Sequence, residues 1–330
     1  EIRIGDWSSD VCSSDLQYRF MINRELIRLK VVQLVYAYYQ NEGKTIEVAE
    51  KELMFSLNKA FDLYEYLLTL LVEIQEMAAQ KDESSRARNK RLGTELKGET
   101  PEGRLAANAL LKQLAANKQL TEYRENVKKE WLEEEPFVKK LLTKFLESEV
   151  FQFYLTKEDF SYEADRELVR KLYKTVICNN DDFTSLLEDH SLYWNDDKEI
   201  IDSFVIKTIK RFKEDSTDEQ PLLPPFASDD DRVFAVQLFS NSLEQGAETR
   251  EYIRKNSKNW EFNRLAFMDT IIAQIALTEI LYFPTIPLNV TFNEYLDIAK
   301  VYSTPRSASY LNGLLDHIVK QLKHEGKINK

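Results

Sequence analysis

Two stretches near the end of the chain, VTFNEYLDIAK at 290–300 and SASYLNGLLDHI at 307–318, decide the fold class. In the first, Thr291-Phe-Asn-Glu294 has the form of a capping box, with Thr291 as N-cap and Glu294 as the acid three residues on. The helix it opens is expected to reach about Val301. A loop, Tyr302-Ser-Thr-Pro-Arg306, separates it from a final helix expected over Ser307 to Lys323. Gly313 stands inside that helix, where glycine costs about 1 kcal/mol relative to alanine. Either a close helix contact or the approach of a ligand to the bare backbone would justify it, and packing is the favoured explanation.

Moving towards the N-terminus, a strongly apolar helix is expected to open near Asn263 and run through Leu281, stopped by Pro284. Before it, helices are expected over about 249–256 and from Asp231 to Glu244, the latter ended by Gly246. Residues 214–231 (EDSTDEQPLLPPFASDDD) carry three prolines and many acids and read as a linker. Further helices are expected near 164–178, 182–190 and 197–213. From 137 onward Val138, Leu141, Leu142, Phe145, Leu146 and Phe153 track one apolar stripe. Residues 81–104 hold three of the eight glycines and almost no apolar side chain, so a solvated linker or loop is expected there. A long helical pattern starts at Thr45, with Val48, Leu53, Phe55, Leu57, Phe61, Leu67, Leu68, Leu71 and Ile74 on its apolar side. The first helix spans Asn23, a candidate N-cap, to Tyr39, with Leu26, Leu29, Val32, Val35 or Tyr36, and Tyr39 on one face. No period-two segment is long enough for a sheet.

Residues 1–20 look foreign to this pattern. They lack the basic start and apolar middle of a signal peptide. Asp6–Leu16 reads as the translation of a short-read sequencing adapter, which makes Met21 the expected native start and removes Cys12 from the protein.

Composition excludes several classes. Eight glycines in 330 residues argue against a phosphate-cradling loop or a doubly wound nucleotide fold. A net charge of −11 excludes a globally basic nucleic-acid binder but leaves room for a local basic patch. Two cysteines and three scattered histidines form neither a disulfide framework nor a metal site. The longest apolar region, Phe262 to Phe283, is interrupted by Asn263, Arg264, Asp269, Gln274 and Glu279, so no membrane span is expected. A reducing, cytoplasmic setting follows. The acidic runs at 133–135 and 229–231 read as solvated surface or helix-start acids. No catalytic constellation is present, and neither enzyme activity nor a cofactor is expected.

One helix face is chemically suggestive. Arg24 and Arg28 are four residues apart and share a face; Lys30, Gln33 and Tyr36 follow on the same helix. Cations with an amide and an aromatic can hold RNA, the charges on phosphates and the ring on an unpaired base. The same residues also suit an ordinary solvated face.

Taken together, RxxxR…VVQLVYAY at 24–38, AQIALTEILYF at 273–283, and the two opening stretches resemble the NusB family of bacterial transcription antitermination factors. The resemblance covers about the first 60 native residues and the last hundred. It implies an all-α fold, a NusB-like helical bundle of two packed three-helix units. Residues 21–80 and 223–330 would form that bundle, with 81–222 a large helical insertion. It implies no catalysis. It implies binding of boxA-type RNA in nascent ribosomal RNA transcripts, jointly with the small-subunit ribosomal protein NusE, within a transcription elongation complex with RNA polymerase. No membrane is implied.

Site residues follow from the resemblance. The arginine-rich segment of the family falls on Arg24 and Arg28, thinned by Glu25 and Leu26, with Lys30 as a possible substitute. An RNA-contacting tyrosine falls on Tyr36, which otherwise belongs to the core, with Gln33 beside it. An acidic contact falls on Asp269. Arg306 stands where the family often has an acid and is expected, with Ser307 beside it, to contact RNA, and a base-stacking aromatic falls on Tyr310. Asn312 reads as structural and Glu294 as the capping acid alone. Three alternatives carry different expectations. An RNA methyltransferase would need glycine-rich turns that the chain lacks. A protein-interaction module that has lost RNA binding would leave Arg24, Arg28 and Arg306 dispersed. A helical scaffold unrelated to RNA would not carry the C-terminal motifs. The acids of the insertion argue against a second RNA surface.

Overall fold

The structure, a computed structural model, describes residues 22–41, 43–94, 97–126, 134–157, 160–194, 196–226, 228–257, 267–304 and 306–330. The adapter-like segment 1–20 and the expected helix start at Asn263 lie outside the described residues. Among the described residues the chain is all-α: fifteen helices, one π-helical turn, and a single isolated parallel bridge between Ile22 and Phe226. Contacts divide it into two compact units. Unit 1 joins the described residues up to Asn58 with Pro225–Lys330; unit 2 is Lys59–Pro224.

In unit 1, Asn23 caps helix α1 (Arg24–Gln40), its side-chain oxygen accepting from the Leu26 amide at 2.9 Å. Every residue of α1 from Leu26 to Val32 is buried, so the helix runs through the core and not along its edge. Helix α2 (Ile46–Arg91) follows. Its expected apolar side is only partly buried, because Val48 and Phe55 are 51% and 48% exposed. After unit 2 come α11 (Asp229–Glu244), α12 (Gly246–Asn256), α13 (Phe267–Tyr282), α14 (Leu288–Tyr302) and α15 (Ser307–His324). Three aspartates occupy the first turn of α11, where the helix dipole favours anions.

Helix α13 is the hub. It is buried continuously from Asp269 to Ile280 and packs against α1, α11, α12, α14 and α15. A helix closed on all sides needs apolar residues on all sides, and the polar residues it does bury, such as Asp269, Gln274 and Glu279, are hydrogen-bonded. Gly246 does not end a helix. It is the first residue of α12, and a Cβ there would lie 2.6 Å from the Tyr39 hydroxyl and 2.8 Å from Gln274 Nε2. A side chain at that position would have to displace the ends of Tyr39 and Gln274, so glycine suits the close approach of α12 to the core.

The capping box at 291–294 is a false lead. Helix α14 begins after Pro287, whose φ of −63° and ψ of 145° set the N-cap, so Thr291 lies within the helix. Its hydroxyl donates to Glu279 at 2.7 Å, while Glu294 faces Arg28. The expected packing role of Gly313 also fails: it is exposed, and an added Cβ would meet nothing within 4 Å.

Unit 2 holds the remainder of α2 with α3 (Pro101–Ala107), α4 (Ala109–Ala116), α5 (Lys118–Asn126), α6 (Glu135–Glu147), α7 (Glu149–Leu155), α8 (Tyr162–Leu172), α9 (Asp181–His190) and α10 (Lys198–Arg211). Its helices are short because capping side chains punctuate them. Thr100, Asn108, Asn117, Ser148, Ser161 and Asn180 each accept from an amide three residues on. Such caps stabilise by about 1 kcal/mol each. Ser148 resets the register after α6, which leaves Phe153, expected on the apolar stripe, 70% exposed. The linker expected from residue 81 begins later. Helix α2 continues to Arg91, supported by the Arg86–Asp82 pair four residues apart, and turns at Gly93, whose φ of 72° suits glycine.

Candidate functional site

The cations of α1 are held by their neighbours. Arg24 donates from Nε to Asp231 at 3.0 Å, and its guanidinium lies 4.9 Å from the Phe234 ring centroid. Arg28, one turn on and only 3% exposed, forks onto Glu279 with Nε and Nη2 at 2.8 and 3.0 Å. Its Nη1 lies 3.4 Å from Glu294. The Tyr295 hydroxyl donates to the same Glu279 carboxylate at 3.1 Å, beside the Thr291 hydroxyl. Burial opposes the Arg28 charge, but hydrogen bonding to Glu279 and the surrounding carboxylates outweigh it and raise the guanidinium pKa. Burial pushes the Tyr295 phenol well up, with Glu279 adding to it. This network ties α1 to α13 and α14. Lys30 is 1% exposed. Arg28 and Lys30, expected to face RNA, present no surface to a ligand.

A second group assembles at the opposite end of α13. Tyr36 is half-buried, its ring centroid 5.4 Å from that of Phe267. Phe267 is 40% exposed and also approaches the Tyr39 ring, at 6.4 Å. Phe267 was not among the expected site residues; its only sequence signal is an aromatic in the first turn of an otherwise closed helix. Gln33 is half-buried, one turn before Tyr36. Asp269 is buried, and accepts from Ser303 Oγ at 2.5 Å and Ser307 Oγ at 2.9 Å. Ser307 in turn accepts from the Thr304 amide at 3.1 Å. A single carboxylate therefore holds the turn between α14 and α15. Asp269 and Ser307, expected to touch RNA, are the support of that turn.

Arg306 is what the turn presents. It is the N-cap residue of α15, exposed, and forms no ion pair among the described residues. Tyr310 follows one turn on, half-buried; burial raises its phenol pKa, opposed by a hydrogen bond with Ser257.

The expected site residues thus fall into two groups. Arg24 and Arg28 lie at the Glu279 end of α13, and Tyr36 and the Arg306 turn at the Asp269 end, where the unexpected Phe267 joins them. Ten helical residues separate Asp269 from Glu279, about 15 Å along the axis. Among the described residues no group of three or more His, Cys, Asp or Glu side chains is placed to hold a metal ion. No described helix is long and apolar enough to cross a membrane.

Residues 200–320 match the sequence model of the NusB family. The transcription antitermination protein NusB of Salinibacter ruber is 41% identical over 99 residues, which cover 30% of this chain and 62% of that protein. Its counterpart in Chloroherpeton thalassium is 34% identical over 97 residues, 29% of this chain and 46% of that protein. That of Natranaerobius thermophilus is 44% identical over 72 residues, 22% of this chain and 52% of that protein. The chain spans about half the length of these curated relatives. No solved structure matches it. The match to the NusB family model runs from within α10 to within α15, and α1 lies outside the matched residues.

Proposed function

We propose that this chain belongs to the NusB family and acts as a transcription antitermination factor. It binds boxA-type RNA of nascent ribosomal RNA transcripts together with the ribosomal protein NusE, in a cytoplasmic elongation complex with RNA polymerase. The reading involves no catalysis. Its relatives in three bacteria are named for antitermination, and the matched region supplies α13, α14 and α15. The observation that carries it is the exposed Arg306, held by Asp269 through Ser303 and Ser307 on the same end of α13 as Phe267 and Tyr36.

Each part of that group has a distinct role. Arg306 contacts a phosphate. Tyr36 and Phe267 offer ring surface to an unpaired base, a contact that tolerates sequence. Tyr310 and Gln33 contribute polar and stacking contacts beside them. Arg24 adds a weaker phosphate contact, because Asp231 already offsets its charge. Arg28, Lys30, Asp269 and Ser307 act indirectly, by fixing α1 and the turn.

The test is binding of a short fluorescent boxA-type RNA, with and without the ribosomal partner, at two salt concentrations. Partner-enhanced, salt-sensitive binding is expected, and Arg306→Ala should reduce both affinity and the steepness of the salt dependence. A second reading is favoured by the separation of Arg24 and Arg28 from Arg306: a NusB-like protein-interaction module without RNA binding. Capture of the ribosomal partner with no RNA bound would establish that reading in place of the first.

A further inference from the structure

Several helix-surface cations of this chain sit beside an acid on their own helix. Lys139–Glu135, Arg166–Glu163, Arg170–Glu167, Arg254–Glu251, Lys300–Asp297 and Lys320–Asp316 are all pairs three or four residues apart. The end of α2 is built differently. Arg88, Lys90 and Arg91 are exposed, and the residues three and four before them are Ser84, Ser85, Arg86, Ala87 and Arg88, none acidic. No ion pair forms at Arg88, Lys90, Arg91 or Lys97 among the described residues. Three acids around the turn are already engaged: Asp82 with Arg86 and Thr100, Glu102 with Lys81, and Glu99 with Arg104. From 86 to 97 the sequence has five cations and one acid, Glu95, in a chain of net charge −11.

The patch is also held in place. The turn closes through the Leu92, Gly93 and Thr94 amides, which donate to the Arg88, Lys90 and Asn89 carbonyls at 3.1, 3.2 and 3.0 Å. Arg86 Nη2 donates to the Gly98 carbonyl at 3.1 Å, drawing the returning chain and Lys97 back towards the helix. Cations at a helix C-terminus complement the dipole, but a single one suffices for that, and three within four residues repel one another.

We propose that Arg88, Lys90, Arg91 and Lys97 form a sequence-independent contact for the phosphates of single-stranded RNA, distinct from the Arg306 group. Residues 84–98 contain no aromatic, so the segment offers cations for phosphates and no ring for a base. Two of its cations are arginines, whose planar forks match phosphate oxygens. The choice of RNA over another polyanion rests on the function proposed above.

The experiment titrates the full chain and its Arg88→Glu/Lys90→Glu/Arg91→Glu variant with two RNAs, a short boxA-type strand and a long polyuridine, over a series of salt concentrations. Anionic phosphatidylserine vesicles serve as a third probe, and thermal unfolding followed by circular dichroism checks the fold. The variant is expected to unfold as the parent does, to bind polyuridine at least tenfold more weakly, and to lose about two from the slope of log K against log salt. Its binding of the short strand should change little, while Arg306→Glu should do the reverse. Polyuridine affinity and slope unchanged in the triple variant would overturn the proposal, and short-strand binding would still report on the Arg306 group. Loss of vesicle binding in the triple variant, with no polyuridine binding by the parent, would also overturn it by making the partner a lipid surface. Tip-dependent polyuridine binding without recognition of the short strand would uphold this inference and sink the boxA reading.

Discussion

Two basic helical segments of this chain put their charge to opposite uses. In α1, Arg28 is enclosed and forked onto Glu279, and Arg24 is paired with Asp231. At the end of α2, Arg88, Lys90 and Arg91 stand exposed, with no ion pair among the described residues. In the sequence, α1 looks like the ligand-facing helix and residues 81–104 look like a linker. Charge in a sequence becomes charge on a surface only if no distant residue claims it, and Glu279 is 251 positions away from Arg28.

The sharpest test of this contrast is Arg28→Ala. Removing one partner of a buried pair leaves Glu279 enclosed without its cation, which costs about 3–5 kcal/mol. Urea unfolding should show that loss. Retention of parental stability would mean that Arg28 is not enclosed as described, and would return it to the candidate RNA contacts.

The middle of α2 offers an effect of intermediate size. Burial, with Asp62 and Glu122 adding like charge, pushes the Glu65 carboxyl up to about 7. Between its unfolded value and 7 the native state holds a proton that the unfolded chain has lost. Stability from this group is therefore complete at low pH and declines as pH rises through that window. Discounted for partial solvent screening, the decline is about 1–2 kcal/mol. Glu65→Gln should remove it, so the variant should gain on the parent at about pH 8 and not at about pH 4. Parallel urea midpoints at all pH values would refute the raised carboxyl.

How much of this was legible in sequence depended on whether the deciding interaction was local. Asn23 as a cap, the extent of α15 and the all-α class follow from spacing and neighbours, and they stand. The start of α14 differs from the expected one because Thr-x-x-Glu matches a cap wherever it falls, whereas Pro287 four residues earlier decides where the helix can begin. The end of α2 was misjudged because a solvated helix needs no apolar period. Which residues of the candidate site face outward was not legible at all, since Asp269 and Ser307 take their roles from each other, 38 positions apart. Gly313 gives a measurable case. With open space around it, Gly313→Ala should stabilise the protein by about 0.5–1 kcal/mol. A destabilised variant would restore the packing role that the structure denies.

The smallest effect is also the most discriminating. Replacing Arg88, Lys90 and Arg91 together by alanine removes favourable dipole interactions of about 0.3–1 kcal/mol each at low ionic strength. It also removes their mutual repulsion, and it supplies a better helix former at all three positions. Near physiological salt these contributions should cancel to within about 0.5 kcal/mol. Set beside Arg28→Ala, three lost cations at the end of α2 should thus cost far less than one lost cation in α1. A cost above about 1.5 kcal/mol would show that the α2 cations are bound up in the fold after all, since that is more than exposed, unpartnered side chains can contribute. The two helices would then differ only in how visibly their charge is spent.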